Sequence, residues 1–296
     1  MSDDSYLKSF GRNIGVLSME EQLKLKNSCI GIAGLGGIGG ATLLCLARAG
    51  IGKFYLADFD RFDIANLNRQ AGANHKTFGR TKVEVMKEQI LEINPDLEIK
   101  TFNEGIQPHN VEDFVKGCDC IVDAIEYFTF SARELLHKTA HNAKKPIMFS
   151  APLGLSATLL SFDGQSMSFE EYFNIEKNMD PFEKLLRFTV GMAPDALHLK
   201  YMDFKKEQLV EMQTGPSFSA SVNLGSALIA VEALCYITGK RKPMSAPRYL
   251  QIDLLTGKQV RKCLAWGNKG PLQRLKLMYA RKKYGEFKEL FLKFIN

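Results

Sequence analysis

The chain lacks closely spaced cysteine pairs. It has six cysteines in 296 residues, and no two of them form a C-x-x-C pair. Paired C-x-x-C motifs supply thiolates to structural zinc, and a single one is typical of thioredoxin-like redox sites. The sequence therefore argues against both kinds of site. We expect no zinc, and reduced thiols in the core of a cytoplasmic protein.

Long apolar runs and a secretory leader are also missing from the sequence pattern. No run approaches the roughly 20 apolar residues that a membrane helix needs. The first residues, Met-Ser-Asp-Asp-Ser-Tyr, are acidic and include no apolar stretch. We therefore expect a cytoplasmic chain without membrane contact, and residues 1–12 as a flexible lead.

Excess positive charge is confined to one end of the chain. The net charge is +6, and the segment from Lys269 onward has eight Lys/Arg against two Asp/Glu, so the rest is balanced. The pattern predicts a basic amphipathic helical tail over residues 269–296. Its apolar positions recur with helical spacing: Phe287, Leu290, Phe291 and Phe294. Such a tail can contact nucleic acid, but the apolar stripe favours packing against protein.

A glycine-rich turn is the strongest local feature that is present. An apolar run from Cys29 leads into five glycines within seven residues, followed by a helical pattern. The spacing G-x-G-x-x-G falls on these positions, with a further glycine inside it: Gly34, Gly36, Gly37 and Gly39. Glycine permits positive φ and close approach of backbone N–H groups to phosphate. The turn predicts a nucleotide site, but does not say which nucleotide.

Short apolar strands alternate with helical patterns from the glycine turn to about residue 149. Regular alternation of this kind favours a parallel sheet with helices on both faces. After Pro152 the pattern changes, with an antiparallel strand over 155–162 and a hairpin around Thr256-Gly257. We predict an α/β fold: a doubly wound, Rossmann-like, mostly parallel sheet with a C-terminal antiparallel extension.

A polar string follows the second predicted strand: Asp58-Phe-Asp-Arg-Phe-Asp-Ile-Ala-Asn-Leu-Asn-Arg-Gln70. A carboxylate at Asp58 can accept both hydroxyls of a ribose. The candidate ligand groups behind it are Asp60, Asn66, Arg69, Gln70 and, one segment later, Lys82. Two positive side chains near a ribose carboxylate suit a triphosphate better than a dinucleotide.

Two further carboxylates, Asp123 and Glu126, follow the fourth predicted strand. Ligands of open α/β sheets bind at the carboxyl ends of the strands. We therefore expect both carboxylates beside the phosphates, where Mg²⁺ would be held.

These residues resemble the ThiF/MoeB/HesA group, adenylyltransferases of the ubiquitin-activating-enzyme superfamily. The resemblance runs from about Arg12 to Phe162 and more weakly to about Leu254, and the D-F-D to N-L-x-R-Q string is its most specific part. It implies binding of ATP and Mg²⁺ and activation of a carboxylate as an acyl-adenylate. The implied substrate is a peptide or the C-terminus of a ubiquitin-like or sulfur-carrier protein.

The resemblance also implies roles for individual residues. Gly36 would contact the nucleotide and Asp58 its ribose. The phosphates would be held by Asn66, Arg69 and Lys82, with Glu126 on Mg²⁺. Arg12 resembles the arginine that reaches the partner's phosphates in family homodimers.

Three departures from the family pattern bear on mechanism. The usual Asp-x-x-Asp-Asn is here Asp123-Ala-Ile-Glu126-Tyr127. The C-x-x-C zinc pairs are absent, and no cysteine lies between Cys120 and Cys235 to form a thioester. The helical pattern places Cys235 on a buried face, and it places His137 and His141 on the surface.

We expect an ATP-binding adenylation core over 1–162, a substrate-binding crossover segment with the remainder of the same domain over 163–268, and the tail. Three functions stay open. They are a carboxylate-activating adenylyltransferase, a tRNA-modifying dehydratase of the same family, and a nucleotide-binding subunit without catalysis. A plain NAD(P) oxidoreductase fits the string behind Asp58 less well.

Overall fold

The computed structural model describes residues 2–202 and 216–293. The strands there are β1 Cys29–Ala33, β2 Lys53–Ala57, β3 Glu98–Phe102, β4 Cys120–Asp123, β5 Ile147–Leu153, β6 Ser156–Phe162, β7 Arg248–Asp253 and β8 Lys258–Cys263. The α-helices are α1 Asp3–Ser9, α2 Met19–Asn27, α3 Gly37–Ala49, α4 Lys82–Ile93, α5 Val111–Lys116, α6 Phe130–Asn142, α7 Phe169–Phe173, α8 Pro181–Met192, α9 Ser219–Thr238, α10 Pro271–Tyr284 and α11 Lys288–Leu292.

The strands form one sheet in the order β3-β2-β1-β4-β5-β6-β7-β8. Neighbours from β3 to β5 pair in parallel, and those from β5 to β8 pair antiparallel. Helical crossovers connect the parallel strands, whereas short turns suffice for the hairpins β5–β6 and β7–β8. The predicted fold class is confirmed.

The order of the strands reverses between β1 and β4. The chain moves from β1 outward to β2 and β3, returns to β4, and then moves the other way to β5. In open α/β sheets such a reversal creates a crevice at the carboxyl ends of the strands, where ligands bind. Here the glycine turn follows β1 and the Glu126 loop follows β4, so both border this crevice.

Apolar side chains cover both faces of the sheet. One buried cluster includes Phe114 of α5, Leu136 of α6 and Phe188 of α8. The other includes Leu43 of α3 and Ile229 of α9. Strands β1, β4 and β6 are buried along their whole length, which explains why apolar residues in them do not alternate with exposed polar ones.

Helix α9 corrects the expectation that no apolar run is long enough to span a membrane. Its 20 residues meet that criterion by length and composition. However, it packs against α3 and β5, and Ser226 Oγ donates to the Ile38 carbonyl at 3.0 Å. Its single acidic residue, Glu232, is buried and accepts a hydrogen bond from Arg241 Nη2 at 2.5 Å. A core helix meets the same criterion, so composition alone does not make α9 a membrane span.

The N-terminal segment is held by the core, so the expected flexible lead is wrong for residues 2–12. Tyr6 of α1 is 1% exposed, and its hydroxyl donates to the Gly50 carbonyl at 2.5 Å. Gln22 Nε2 donates to the same hydroxyl at 2.8 Å. These contacts anchor α1 immediately before the 3₁₀ turn Gly11–Asn13, which includes Arg12.

The C-terminal third contains more regular structure than its sequence pattern suggests. The segment 163–216, expected to be irregular apart from one short helix, contains both α7 and α8 in its described part. The predicted helix after Gly270 is observed as α10, which packs on α8. The predicted apolar stripe (Phe287, Leu290, Phe291, Phe294) lies outside the residues whose side chains are described.

The cysteines only partly follow the expectation of core thiols. Cys29, Cys118 and Cys120 are buried, and all six thiols are free. Cys235 is half-buried, whereas Cys45 and Cys263 are exposed. The apolar residues next to these three cysteines in the sequence therefore do not predict how far their side chains are buried.

Candidate nucleotide-binding site

Two of the four predicted glycines are required by the packing of the turn. Gly34 has φ +92°, and a Cβ there would lie 2.2 Å from the Ala124 carbonyl oxygen. A Cβ on Gly39 would lie 1.8 Å from the Gly34 carbonyl oxygen. No side chain fits at such distances, so these glycines bring the β1 and β4 loops into contact.

The other two glycines stand at the start of α3, where a Cβ would have ordinary room only at Gly36. The nearest atom to a Cβ on Gly36 would be Gln70 Nε2 at 3.5 Å, and a Cβ on Gly37 would meet Val222 at 3.3 Å. Helix α3 begins at Gly37, and no side chain caps it. Its first N–H groups and its dipole therefore favour an anion. Helix starts of this kind bind phosphate groups in other nucleotide-binding proteins.

Asp58 links the end of β2 to the glycine turn. Its Oδ2 accepts a hydrogen bond from the backbone N–H of Leu35 at 2.5 Å, and its Oδ1 accepts one from Asp60 at 2.8 Å. Because each carboxylate oxygen can accept more than one hydrogen bond, Asp58 keeps capacity for the hydroxyls of a ribose beside the turn.

Lys82 and Asp60, both predicted to contact the nucleotide, pair with each other. The Lys82 ammonium lies 2.6 Å from Asp60 Oδ2, and the Lys82 side chain is 7% exposed. Thr81 caps the start of α4 by accepting a hydrogen bond from the N–H of Glu84 at 3.3 Å, which places Lys82 in the first turn of the helix. A buried ammonium with one carboxylate partner has donors left for phosphate oxygens.

Asn66 and Arg69 lie on one compact turn between β2 and α4. Asn66 Oδ1 accepts from the N–H of Asp63 at 3.0 Å and so closes the 3₁₀ turn Ile64–Asn66. Arg69 Nη1 donates to the Ala65 carbonyl and to Asn68 Oδ1, both at 2.9 Å. Asn66 therefore orders the turn that carries Arg69, in addition to any contact it makes with phosphate.

Gln70 lies under the glycine turn beside Gly36. Its side chain is buried, and its Oε1 has no hydrogen-bond partner among the described residues. A buried amide oxygen without a donor is costly, so a donor supplied by a bound molecule would stabilise this position.

Glu126 is exposed at the other side of the crevice. Its Oε2 accepts from the N–H of Phe128 at 2.6 Å, which fixes a tight turn after β4. Burial lowers the pKa of Arg69, and the charge of Glu126 opposes that shift. The structure thus brings the β2–α4 turn and the β4 loop within electrostatic range of each other.

Asp123 differs from the expectation that it lies beside Glu126 on the ligand side. It is fully buried, and its carboxylate accepts from Arg133 Nε at 2.8 Å, from His137 Nε2 at 2.9 Å and from the N–H of Ile125 at 3.1 Å. Burial by itself would raise the pKa of Asp123, but Arg133 and His137 outweigh it and lower the pKa. Its oxygens are occupied by protein donors, whereas Glu126, the other predicted carboxylate of this loop, is exposed.

Two members of this buried group were missed or misplaced by sequence reasoning. His137, expected on the surface, is 2% exposed, and its ring lies 4.3 Å from that of Phe169 between centroids. Arg133 was not singled out, although it is 1% exposed. The available signal was their spacing of four residues on the face of α6 that also carries Leu136 and Ala140.

Arg12 is exposed on the turn Gly11–Asn13. Within residues 2–202 and 216–293, no hydrogen bond or ion pair links it to the other predicted site residues. In a single chain, Arg12 therefore has no described polar contact with the residues of the crevice.

A metal site built from protein ligands alone is not found in the described part of the chain. No group of three or more His, Cys, Asp or Glu side chains there is arranged to hold an ion. Mg²⁺ usually takes one or two carboxylates and completes its shell with water and substrate phosphates. The single carboxylate of Glu126 fits that mode of binding.

Comparison with known proteins gives related sequences and folds. The tRNA threonylcarbamoyladenosine dehydratase of Haemophilus influenzae is 38% identical over 125 residues, which are 42% of this chain and 48% of that protein. The probable adenylyltransferase/sulfurtransferase MoeZ of Mycobacterium tuberculosis is 33% identical over 191 residues, 64% of this chain and 41% of MoeZ. The chain thus spans less than half the length of either relative.

Among solved structures, Escherichia coli MccB with ATP has a similar fold. Its TM-score is 0.62 at 22% identity, over 82% of this chain and 66% of MccB. A second structure of MccB, with AMPCPP and MccA, gives 0.65 at 21% identity, over 86% and 71%. At a sequence identity of 21–22%, this similarity shows a common fold and no more.

The family comparison covers nearly the whole chain. Residues 10–273 match the ThiF family, and this range includes the glycine turn, the string from Asp58 to Gln70, Lys82 and the Glu126 loop. The chain therefore belongs to the ThiF family.

Proposed function

We propose that this protein is an ATP-dependent adenylyltransferase that activates a carboxylate as an acyl-adenylate. The observation that carries the proposal is the convergence of an uncapped helix start, a buried lysine and an arginine on one crevice. Together these groups provide the N–H donors that the oxygens of a triphosphate accept. The similarity to MoeZ, a probable adenylyltransferase, and to MccB, which was crystallised with ATP, supports the same function.

The residues of the crevice fit ATP. A Cβ on Gly36 would lie at an ordinary contact distance from Gln70 Nε2, and that amide nitrogen is a donor suited to a phosphate oxygen. Asp58 would bind the ribose, and the phosphates would lie near Asn66, Arg69 and Lys82. Mg²⁺, held by Glu126 and the phosphates, would neutralise part of the phosphate charge.

The proposed step is attack of a carboxylate oxygen on the α-phosphorus of ATP. The bond from that phosphorus to the oxygen shared with the β-phosphate breaks, and pyrophosphate leaves with the electron pair. Lys82 and Arg69 stabilise the charge that develops on the leaving group, an effect of about 3–4 kcal/mol for one well-placed donor. Because no cysteine lies between Cys120 and Cys235, an external nucleophile would then take the acyl group.

The activated carboxylate belongs, in this proposal, to a peptide or to the C-terminus of a ubiquitin-like or sulfur-carrier protein. MccB, which has been crystallised with MccA, supports a macromolecular or peptide substrate. The enzyme would act as a homodimer in which Arg12 reaches the partner's crevice. Exposed apolar side chains support such an interface. Three lie close to Arg12 in sequence (Ile14, Val16 and Met19), and two lie on the Asn66 turn (Ile64 and Leu67).

A second candidate is adenylation of a carboxylate on a modified tRNA base, followed by loss of water. The observation that favours it is the 38% identity to the tRNA threonylcarbamoyladenosine dehydratase, together with the basic C-terminal tail. Both candidates use the same adenylation step and differ in the substrate that enters the crevice.

The first test is nucleotide binding and pyrophosphate exchange by variants of α4. Lys82→Ala should lower exchange between labelled pyrophosphate and ATP by about 10²–10³-fold because it removes a charge that stabilises the leaving group. Lys87→Ala, an exposed lysine on the same helix, is the matched control and should stay within about twofold. Tight NAD binding without measurable ATP binding would contradict the proposal.

The second test separates the substrates. The protein is incubated with ATP and either a small protein ending in Gly-Gly or tRNA carrying threonylcarbamoyladenosine. Mass spectrometry then detects an adenylated C-terminus in the first case and a dehydrated base in the second. If the protein binds ATP but forms neither product and shows no pyrophosphate exchange with any tested carboxylate, it is a nucleotide-binding subunit without catalysis.

A further inference from the structure

Glu126 lies on a short loop that is held from the side of α6. Arg133 Nε binds Asp123 at 2.8 Å, and its two other nitrogens donate to the carbonyls of Ile125 and, at 3.4 Å, Glu126. The guanidinium is buried, so these contacts are shielded from water. The loop is thereby fixed to the core.

The loop is also held by Tyr127. Its hydroxyl is hydrogen-bonded to Thr189 Oγ1 on α8, and Thr189 Oγ1 itself lies 2.7 Å from the Leu185 carbonyl. A carbonyl can only accept, so the threonine proton goes to Leu185 and the tyrosine O–H must donate to Thr189. The Tyr127 ring also packs against Phe188, with 5.9 Å between centroids.

We propose that Tyr127 is a positioning residue that lets α8 set the place of the Glu126 carboxylate for the metal–nucleotide complex. This inference rests on the proposed function. The family pattern has an amide after the second acidic residue, whereas this chain has a phenol long enough to reach α8. The segment after β6, expected to bind the acyl substrate, is thereby connected to the phosphate end of the crevice through this hydrogen bond and the packing of Tyr127 on Phe188.

The connection predicts that the Tyr127–Thr189 bond affects metal binding without being needed for folding. Tyr127→Phe removes only the donor, since Thr189 keeps its bond to Leu185. Thr189→Val removes the acceptor, and Thr189→Ser retains it. Tyr172→Phe is the matched control, because its hydroxyl also donates to α8, at the Gly191 carbonyl (3.3 Å), and not to Thr189.

The experiment measures Mn²⁺ binding by electron paramagnetic resonance in the presence of ATP, with no turnover required. Tyr127→Phe and Thr189→Val should each raise the Kd for Mn²⁺ about tenfold, as for other residues that orient a metal ligand. The double variant should be no weaker than either single one, and Thr189→Ser and Tyr172→Phe should stay within about twofold of the parent. Thermal unfolding of each variant shows whether it is folded. If Tyr127→Phe does not fold, the Kd values of Thr189→Val and Thr189→Ser for Mn²⁺ are compared instead, and equal values contradict the positioning role.

Glu126→Gln distinguishes failure of the inference from failure of the proposed site. If Glu126→Gln weakens Mn²⁺ binding while Tyr127→Phe and Thr189→Val do not, the positioning role of Tyr127 is overturned and the proposed site stands. If Glu126→Gln leaves Mn²⁺ binding unchanged, Glu126 is not the metal ligand and the inference is overturned together with that part of the proposed function.

Discussion

At the scale of single residues, neighbouring glycines in one turn serve different purposes. Gly34 and Gly39 are required because a Cβ would overlap backbone atoms of the adjacent loop and of the turn itself. Gly36 has a negative φ of −72°. A Cβ there would lie 3.5 Å from Gln70 Nε2, which is a normal van der Waals contact. The first two therefore support the fold, whereas packing does not require glycine at position 36, which we propose lies against the phosphates of ATP.

Alanine substitutions should separate these purposes. Gly34→Ala should destabilise the protein by at least about 1–3 kcal/mol, because positive φ is unfavourable for alanine even before the overlap with Ala124. Gly36→Ala should change stability by less than about 1 kcal/mol but lower ATP affinity about tenfold or more, since its methyl group enters the proposed phosphate position. Urea unfolding and calorimetric ATP titration measure the two effects, and equal loss of stability in both variants would contradict the division.

At the scale of secondary-structure elements, α6 holds the end of β4 through a buried charge network. Arg133 and His137 both bind Asp123, and none of the three side chains reaches solvent appreciably. A buried ion pair adds little net stability over apolar packing, but removing one partner leaves an unpaired charge in the interior. The network therefore serves to fix the loop that carries Glu126.

The pH dependence of stability should report on this network. The pKa of Asp123 in the folded protein is below its usual value of 3.8, so the folded state favours the carboxylate. Its contribution is fully present above pH 4 and is lost as the pH falls through the lowered pKa. Asp123→Asn should cost about 3–5 kcal/mol at pH 7 and should remove this part of the acid-induced loss.

An exposed ion pair provides the control for that prediction. Asp113 pairs with Lys100 at 2.5 Å, and both side chains are largely exposed. Asp113→Asn should therefore cost less than about 1 kcal/mol at pH 7 in the same urea unfolding experiment. A similar cost for both variants would show that burial of Asp123 is not what makes its pairing important.

At the scale of the whole molecule, the reversal of strand order brings together loops that are distant in sequence. The turn after β1 touches the loop after β4, and the turn between β2 and α4 lies beside both. Arg12 stays outside this assembly in the single chain. A complete site as proposed therefore needs Arg12 from a second copy.

Mixing two inactive variants tests the proposed homodimer. In a mixed dimer of Arg12→Ala and Lys82→Ala chains, one of the two crevices has both Lys82 of its own chain and Arg12 of the other. After subunit exchange, pyrophosphate exchange activity should rise to about a quarter of the parent value, because about half of the dimers are mixed. No recovery, or a monomer by light scattering, would contradict action of Arg12 across a dimer interface.

Much of this molecule follows from local sequence patterns. The apolar run before the glycines, their spacing and the regular alternation of strands and helices determined the sheet and its parallel half, since each rests on short-range backbone preferences and periodic burial. The charges from Asp58 to Lys82 indicated a triphosphate because their types and spacing limit the ligands that they can bind. The family match over residues 10–273 agrees with this interpretation.

Other features were decided only by tertiary structure. His137 and Asp123 could not be placed from sequence, because their partners come together through the packing of α6 against the end of β4. The position of Tyr127 likewise depends on α8, 62 residues away along the chain. Sequence determined which chemical groups are available, whereas long-range packing decided which of them are paired in the interior and which face the crevice.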